Sequence, residues 1–425
     1  EKRISQENYE KIMMLGDKSI KPHENLIRVY PQKNLFSHII GQIDNDNNGI
    51  SGLEKSLDER LKNAKEQVTL TVDKDIQYLI REELKKFNKI FKAKGSGSIL
   101  MDINNGDVLS LVSLPDFDPN KREKISDLNY INRVTKGVYE FGSVFKTFTM
   151  AAAFEEELIE PQTKFIDLPH SLNCAGFKIK EYDKKIPKNL TAEQILVRSG
   201  NIGSVRIGQQ LGEEKLRTFL SKLGVLEKIS FDIEEVGKPI KFNWGKCPLA
   251  TASFGHGITT TLLQLAKAYS IISNGGFNIQ PRLIKNENKN QLEQIINNDV
   301  SKKILPILRK VVTTKEGTAS LANVAGYEIG GKTGTAQKSV SGKYSNQKIN
   351  SFVTVFPTSN PQFVLAIMLD EPKTNANYIY HYRDGSNIKY KGTPYNTAGW
   401  TTVEVTGQIV EKIGPILATK YSEIE

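Results

Sequence analysis

The chain has 425 residues, 38% of them hydrophobic and 25% charged, the balance of an ordinary globular protein too long for one compact core and long enough for a large domain plus a smaller one. Its formal net charge is +10, but the Lys and Arg residues are scattered and not interleaved with an aromatic motif. Nucleic acid is therefore not an expected partner, whereas an anionic cell envelope suits the charge. No apolar run reaches the ~18 residues of a membrane-spanning helix, and no signal peptide is visible.

Residues 1–65 are polar, rich in Asn, Asp and Lys, and broken by Gly41, Gly49 and Gly52. The abrupt polar start at Glu1-Lys2-Arg3 suits a segment trimmed of an anchor. Short apolar pieces (Leu26 to Tyr30, Phe36 to Gly41) suggest a small accessory region, and Leu53 to Leu61 reads as a helix. The composition shifts at Gln67-Val68-Thr69-Leu70-Thr71-Val72, whose alternation reads as a strand opening the main domain, 66–425. Asp73 or Asp75 then caps a helix with Ile76, Leu79, Ile80, Leu84 and Phe87 at helical spacing. Asn104-Asn105-Gly106 between two apolar runs, Ser96 to Ile103 and Asp107 to Val112, predicts a hairpin.

The middle of the chain reads as helices over 143–157, 191–199, 202–211, 213–223, 260–273 and 302–314. Strands follow at Tyr327 to Lys338, Ser351 to Phe356 and Phe363 to Leu369, and a closing helix at Thr401 to Ile416. Two early strands, central helices and three late strands predict an α+β fold: a five-stranded antiparallel sheet flanked by helices.

Chemistry concentrates in three short segments. Ser143-Val144-Phe145-Lys146 places a serine and a lysine on one helical face, where the amine can take the hydroxyl proton. S-x-x-K recurs at Ser345 and Ser386, but both lie in polar stretches that read as solvated loop. Of two S-x-N triplets, Ser199-Gly200-Asn201 follows a capping-box pattern, Thr191 to Gln194. It falls at a helix–helix corner able to aim two short polar side chains into a cleft. The other, Ser171-Leu172-Asn173, reads as loop. Lys332-Thr333-Gly334-Thr335 lies on a strand, with a glycine where a substrate backbone can approach closely. Only Ser143 precedes the other two motifs. A serine nucleophile, a lysine base, a polar corner and a basic strand are the parts of an acyl-transfer site.

Each segment alone has a plainer reading: Ser143 as a helix cap, Ser199 and Asn201 as caps, Lys332 as an exposed edge lysine. Their order in one chain argues against all three. Cys174 and Cys247 are too few for a disulfide scaffold, and plain thiols or a single bridge both stay open. The five His show no metal-ligand spacing and no dinucleotide-binding fingerprint is present, so neither metal nor cofactor is expected.

The ordered set S-x-x-K, S-x-N, K-T-G resembles the penicillin-binding protein and serine β-lactamase superfamily, and within it the class B penicillin-binding proteins. The likeness extends through Asn132-Arg133, Tyr139 to Ser143, the hairpin from Met101 to Pro115, and Phe254-Gly255-His256-Gly257-Ile258 to Asn274-Gly275-Gly276. Arg28-Tyr30-Pro31 and Gly52-Leu53-Glu54 resemble the end of the family's pedestal, so residues 1–65 are expected to be a partial pedestal. Phe141 stands where the family usually has proline, and His256 where glutamine is common; neither is expected to touch the chemistry.

The resemblance implies D,D-transpeptidation of peptidoglycan stem peptides ending in D-Ala-D-Ala. It implies Ser143 as nucleophile, Lys146 as base, Ser199 as proton relay, Asn201 as positioner, and Lys332 and Thr335, with Thr333 and Gly334, as the substrate-binding strand. It also implies an oxyanion hole from the Ser143 and Thr335 N–H groups, and acylation by β-lactam antibiotics. Burial and the Lys332 charge are both expected to lower the Lys146 pKa. Asn201 followed by Ile202-Gly203 is similar to the septal, division-specific branch; the elongation branch often carries aspartate there. That implies a periplasmic domain of an inner-membrane-anchored parent, with a membrane glycosyltransferase and other division proteins as partners. Alternatives are an elongation-type enzyme, a D,D-carboxypeptidase, a β-lactamase (disfavoured by the extra N-terminal region, which has no role in such an enzyme), a β-lactam sensor and a divisome scaffold.

Overall fold

The computed structural model describes residues 4–22, 27–63, 67–121, 127–174, 176–286, 292–340 and 343–421; Glu1 to Arg3 and Leu26 lie outside these. Helix α1 (Gln6–Met13) is capped by Ser5, which accepts from the Asn8 N–H, and buries none of its residues. The expected helix 53–61 is two short ones, Gly52–Ser56 and Asp58–Lys62, because the backbone leaves helical geometry at Leu57. This N-terminal region is tied to the main body: Asn120 exchanges hydrogen bonds with both backbone groups of Tyr30, and the Gln77 amide donates to the Leu35 carbonyl.

Gln67 to Val72 is not a strand of the sheet. Leu70 makes one isolated bridge to Ile284, and Thr71 donates its hydroxyl to the Val108 carbonyl. Its alternation reflects packing across a loop at 282–284. Asp73 caps helix α2 (Lys74–Ile90), accepting from the Asp75 and Ile76 N–H groups. The predicted hairpin follows as β1 (Gly95–Asp102) and β2 (Val108–Leu114), turned by Gly106 at φ +82°.

Helix α3 (Phe145–Glu155) is preceded by a 3-10 turn, Gly142–Val144. A small hairpin comes next, β3 (Ser171–Cys174) and β4 (Phe177–Lys180); Ser171 is thus in a strand and not in a loop. The helical block is α4 (Ala192–Val197), α5 (Asn201–Leu211), α6 (Glu213–Lys222), α7 (Lys246–Ala252), α8 (Leu262–Ser273) and α9 (Asn298–Thr313). Thr191 and Thr261 both form capping boxes, with Gln194 and Gln264. Helix α7 was not anticipated; its sequence, KCPLATA, carries an internal proline and no apolar period long enough to signal a helix.

Strands β5 (Gly330–Val340), β6 (Lys343–Phe356) and β7 (Phe363–Asp370) complete the sheet. Ser345 therefore lies in β6, donating to the Lys338 carbonyl. A hairpin arm reaching past the covered sheet needs no apolar alternation, so composition misread it. The short pair β8 (Ile379–His381) and β9 (Lys389–Lys391) follows. Ser386 lies in the turn between them, and α10 (Thr402–Lys420) closes the chain.

The sheet order is β2-β1-β7-β6-β5, antiparallel throughout. Every residue of β7 is buried, so both faces of the sheet are covered. Helices α2 and α10 pack on each other and on the sheet, and α8, buried at all its positions, packs on β1, β7 and β6. Cys174 and Cys247 form a disulfide joining β3 to α7. Strand β5 is left as the sheet edge facing the helical block, and the cleft between them carries the motifs.

Candidate active site

The turn that carries Ser143 is fixed from below. Tyr269, fully buried on α8, donates to the Val144 carbonyl at 2.9 Å and shares a 2.9 Å hydrogen bond with the Thr147 hydroxyl. Burial pushes its phenol pKa up, so it remains a donor. From the side, β5 approaches so closely that a Cβ on Gly334 would lie 2.1 Å from the Phe141 carbonyl oxygen. That glycine is required by the chain's own nucleophile turn, not by an incoming backbone as the sequence suggested. Phe141 itself is fully buried.

Ser143 opens into a cleft of about 950 Å³, which Ser199, Asn201, Thr333 and Thr335 also line. The two lysines lie beneath its floor, 1% and 0% exposed for Lys146 and Lys332. The Lys146 amine donates to the Ser199 carbonyl (2.5 Å), to Asn201 Oδ1 (2.7 Å) and to Ser199 Oγ (3.2 Å). From the other side the Lys332 amine donates to the same Ser199 Oγ at 2.8 Å and to the Thr333 carbonyl at 3.2 Å. A hydroxyl has two acceptor lone pairs and one proton, so Ser199 bridges two amines and can donate to whichever is neutral.

Ser199 reaches that position through its backbone. Helix α4 ends at Arg198, and Ser199 takes φ +57°, the left-handed region where glycine usually stands after a helix. Glycine there would leave no hydroxyl between the amines. Asn201 starts α5, and its amide donates to the Lys180 carbonyl at 2.8 Å, which turns Oδ1 toward Lys146.

Burial pulls the Lys146 pKa down to about 7, against the opposing pull of the Glu181 carboxylate. Lys332 is pushed well below the usual lysine range, by burial first and by the Lys146 charge second. The expectation was that the Lys332 charge helps lower Lys146. The two amines face each other across Ser199, and their repulsion disfavours carrying a charge on both at once. Lys332 is also no exposed edge lysine; it runs under the cleft and offers hydroxyls to it through Thr333 and Thr335. Thr333 is in turn bonded to the Thr318 hydroxyl at 2.7 Å, and Thr335 Oγ1 accepts from the Ala398 N–H at 3.0 Å.

Sequence reasoning missed Glu181, Tyr269, Thr318 and Glu140. Glu140 accepts from the Tyr344 hydroxyl (3.0 Å) and the Gly257 N–H (2.8 Å) at the far end of the cleft, where His256 stacks on Tyr344 with ring centroids 4.6 Å apart. His256 thus lines the cleft, although the sequence reading set it aside. Tyr269 alone had a signal, as the one polar-tipped aromatic in an apolar helix. Arg133, in the family-like Asn132-Arg133 segment, lies buried 3.8 Å from the Asp370 carboxylate.

A model of the penicillin binding protein transpeptidase domain matches residues 97–386. The chain belongs to this family. Among its curated relatives, the "probable peptidoglycan D,D-transpeptidase FtsI" of Caulobacter vibrioides is 29% identical over 426 residues, spanning 96% of this chain and 69% of the relative. The stage V sporulation protein D of Bacillus subtilis is 31% identical over 417 residues, spanning 88% of this chain and 64% of the relative. A crystal structure of penicillin binding protein 3 from Mycobacterium tuberculosis, complexed with ampicillin, superposes with a TM-score of 0.78 at 25% identity, covering 91% of this chain and 90% of that one. The match runs through the sheet and the helical block, and all three motifs lie inside the matched range.

Proposed function

We propose that the chain is a serine D,D-transpeptidase that cross-links peptidoglycan stem peptides ending in D-Ala-D-Ala. The observation that carries this reading is the Lys146–Ser199–Lys332 bridge at the floor of the cleft that Ser143 lines, with a buried amine near neutrality. Ser143 Oγ attacks the penultimate D-Ala carbonyl while neutral Lys146 takes its proton. The Ser143 and Thr335 N–H groups hold the oxyanion; the sheet-edge position of β5 leaves alternate N–H groups turned away from β6. As the C–N bond breaks, the proton passes through Ser199 to the leaving D-Ala amine. The amine of a second stem peptide then attacks the ester, loses its proton to the same relay, and frees Ser143. Asn201 positions Lys146 and the donor amide. Thr333 and Thr335 face the donor carboxylate, with Lys332 supplying proton capacity from below. β-Lactams acylate Ser143 as mimics of the donor; the ampicillin complex of the mycobacterial neighbour supports this.

The septal role is part of the same proposal, supported by Asn201 in place of aspartate and by the name of the Caulobacter relative. So are a periplasmic location on an inner-membrane-anchored parent, a membrane glycosyltransferase and division proteins as partners, and a pedestal role for residues 1–65. No helix among the described residues is long and apolar enough to cross a membrane. The test is product analysis with a D-Ala-D-Ala donor and an amine acceptor. Cross-linked product is expected; hydrolysed donor alone would make the chain a carboxypeptidase.

A further inference from the structure

Three successive residues leaving β4 tie themselves to the corner that holds Ser199 and Asn201. The Lys180 carbonyl accepts from the Asn201 amide at 2.8 Å. The Glu181 carboxylate accepts from the first two N–H groups of α5, Asn201 at 2.7 Å and Ile202 at 2.8 Å. The Tyr182 hydroxyl donates to the Arg198 carbonyl at 2.9 Å. The hairpin that presents them is fastened at its other end, where Cys174 of β3 is bonded to Cys247 of α7, and α7 packs against α5. The same helix is therefore gripped twice, at its N-terminus by the carboxylate and along its side through the disulfide.

We propose that Glu181 is a positioning residue for acyl transfer: it fixes the first turn of α5 so that Asn201 Oδ1 meets the Lys146 amine, and the disulfide-clipped hairpin 171–180 holds it there. This rests on the reading of Lys146 as the base for Ser143. A carboxylate accepting two orphan N–H groups at a helix start is favoured by the helix dipole. It consequently does a second thing, favouring the charged form of Lys146. The other charged groups around that amine are arranged differently. Lys332 faces it across Ser199 and carries the same sign. Arg198 pairs with Glu316 at 3.6 Å. Asp183 and Lys185 line the cleft with opposite signs. Glu181 is the carboxylate whose charge acts on the Lys146 amine.

The test is the rate of Ser143 acylation by a fluorescent penicillin from pH 5 to 9, on the wild-type chain, Glu181→Gln and Glu181→Asp, each checked for folding by thermal melting. Loss of the charge in Glu181→Gln frees Lys146 of its proton at lower pH, so the acidic limb moves down by roughly half a pH unit. Loss of the grip lowers the plateau by about tenfold. Glu181→Asp keeps the charge and shortens the reach; its limb stays with wild type while its plateau falls. A Glu181→Gln plateau that falls with the limb unmoved would make the residue a plain helix cap and overturn the proposal, as would a profile identical to wild type. If Glu181→Gln does not fold, Glu181→Asp decides alone: a plateau equal to wild type overturns the proposal. A wild-type chain that is never acylated at Ser143 would sink the acyl-transfer reading and the proposal with it, whereas an acylated wild type with indifferent variants sinks only the proposal.

Discussion

Gly334→Ala probes how the site is assembled without touching any group that reacts. The added Cβ would sit 2.1 Å from the Phe141 carbonyl oxygen, 2.6 Å from Ser351 Oγ and 3.1 Å from Val144 Cγ1. Ordinary carbon–oxygen contacts are about 3.3 Å or longer, so β5 and the nucleophile turn must separate by roughly 1 Å. The Ser351 side chain can rotate away; the Phe141 carbonyl is backbone and cannot. Overpacking of this kind costs about 1–3 kcal/mol, a fall in Tm of several degrees. A shift of roughly 1 Å between Ser143 and Thr335 costs about 100-fold in rate, since positioning of the reacting groups carries much of the acceleration. The assay is the second-order rate of penicillin acylation beside a melting curve. Gly326→Ala is the control: Gly326 has φ +84° and nothing within 4 Å of an added Cβ, so it strains the backbone locally and leaves acylation alone. Acylation of Gly334→Ala within threefold of wild type at equal Tm would refute the argument that this close approach sets the geometry.

The Lys146 pKa near 7 requires the neutral, base-competent amine to form as pH rises, so acylation climbs through neutrality. At pH 6 about one amine in ten is neutral, and the rate should be about tenfold below its alkaline plateau; a profile flat from pH 5 to 8 contradicts the assignment. Tyr269→Phe removes the donor that ties α8 to Val144 and Thr147, while the Val144 carbonyl keeps its intrahelical bond at the N-cap of α3; the expected loss is about 0.5–1.5 kcal/mol in denaturant unfolding with slower acylation, and unchanged values on both would show that the turn holds itself. Reducing the Cys174–Cys247 bond, which spans 73 residues, should lower stability by about 2–4 kcal/mol, measured by urea titration with and without reductant.

The sheet was readable because its strands are apolar and bounded by turn signals: the runs flanking Asn104-Asn105-Gly106 placed β1 and β2 within one or two residues of their ends. The helices were readable where a cap precedes a period, as at Asp73, Thr191 and Thr261. Gln67 to Val72 misled because alternation reports which side of an extended segment is covered, not what covers it. The 171–180 and 379–391 hairpins are short, polar and Lys-rich, and α7 lacks period and length, so none carries a local signal. The motif residues were readable as types in an order. What could not be read was which side chain faces the cleft: Lys332 is expected on the substrate-binding strand and its side chain is fully buried beneath the cleft, and Gly334 looked like a docking site and is a packing requirement. Glu181 stands 20 positions before Asn201, and only the fold makes the two neighbours.

The central claim is that Ser143 is the nucleophile of an acyl-transfer site, and intact-mass spectrometry after incubation with a penicillin tests it most directly. Wild type should gain one stable adduct that maps to Ser143, and Ser143→Ala should gain none. An adduct that persists in Ser143→Ala, or a folded wild-type chain that never gains one, would contradict the account.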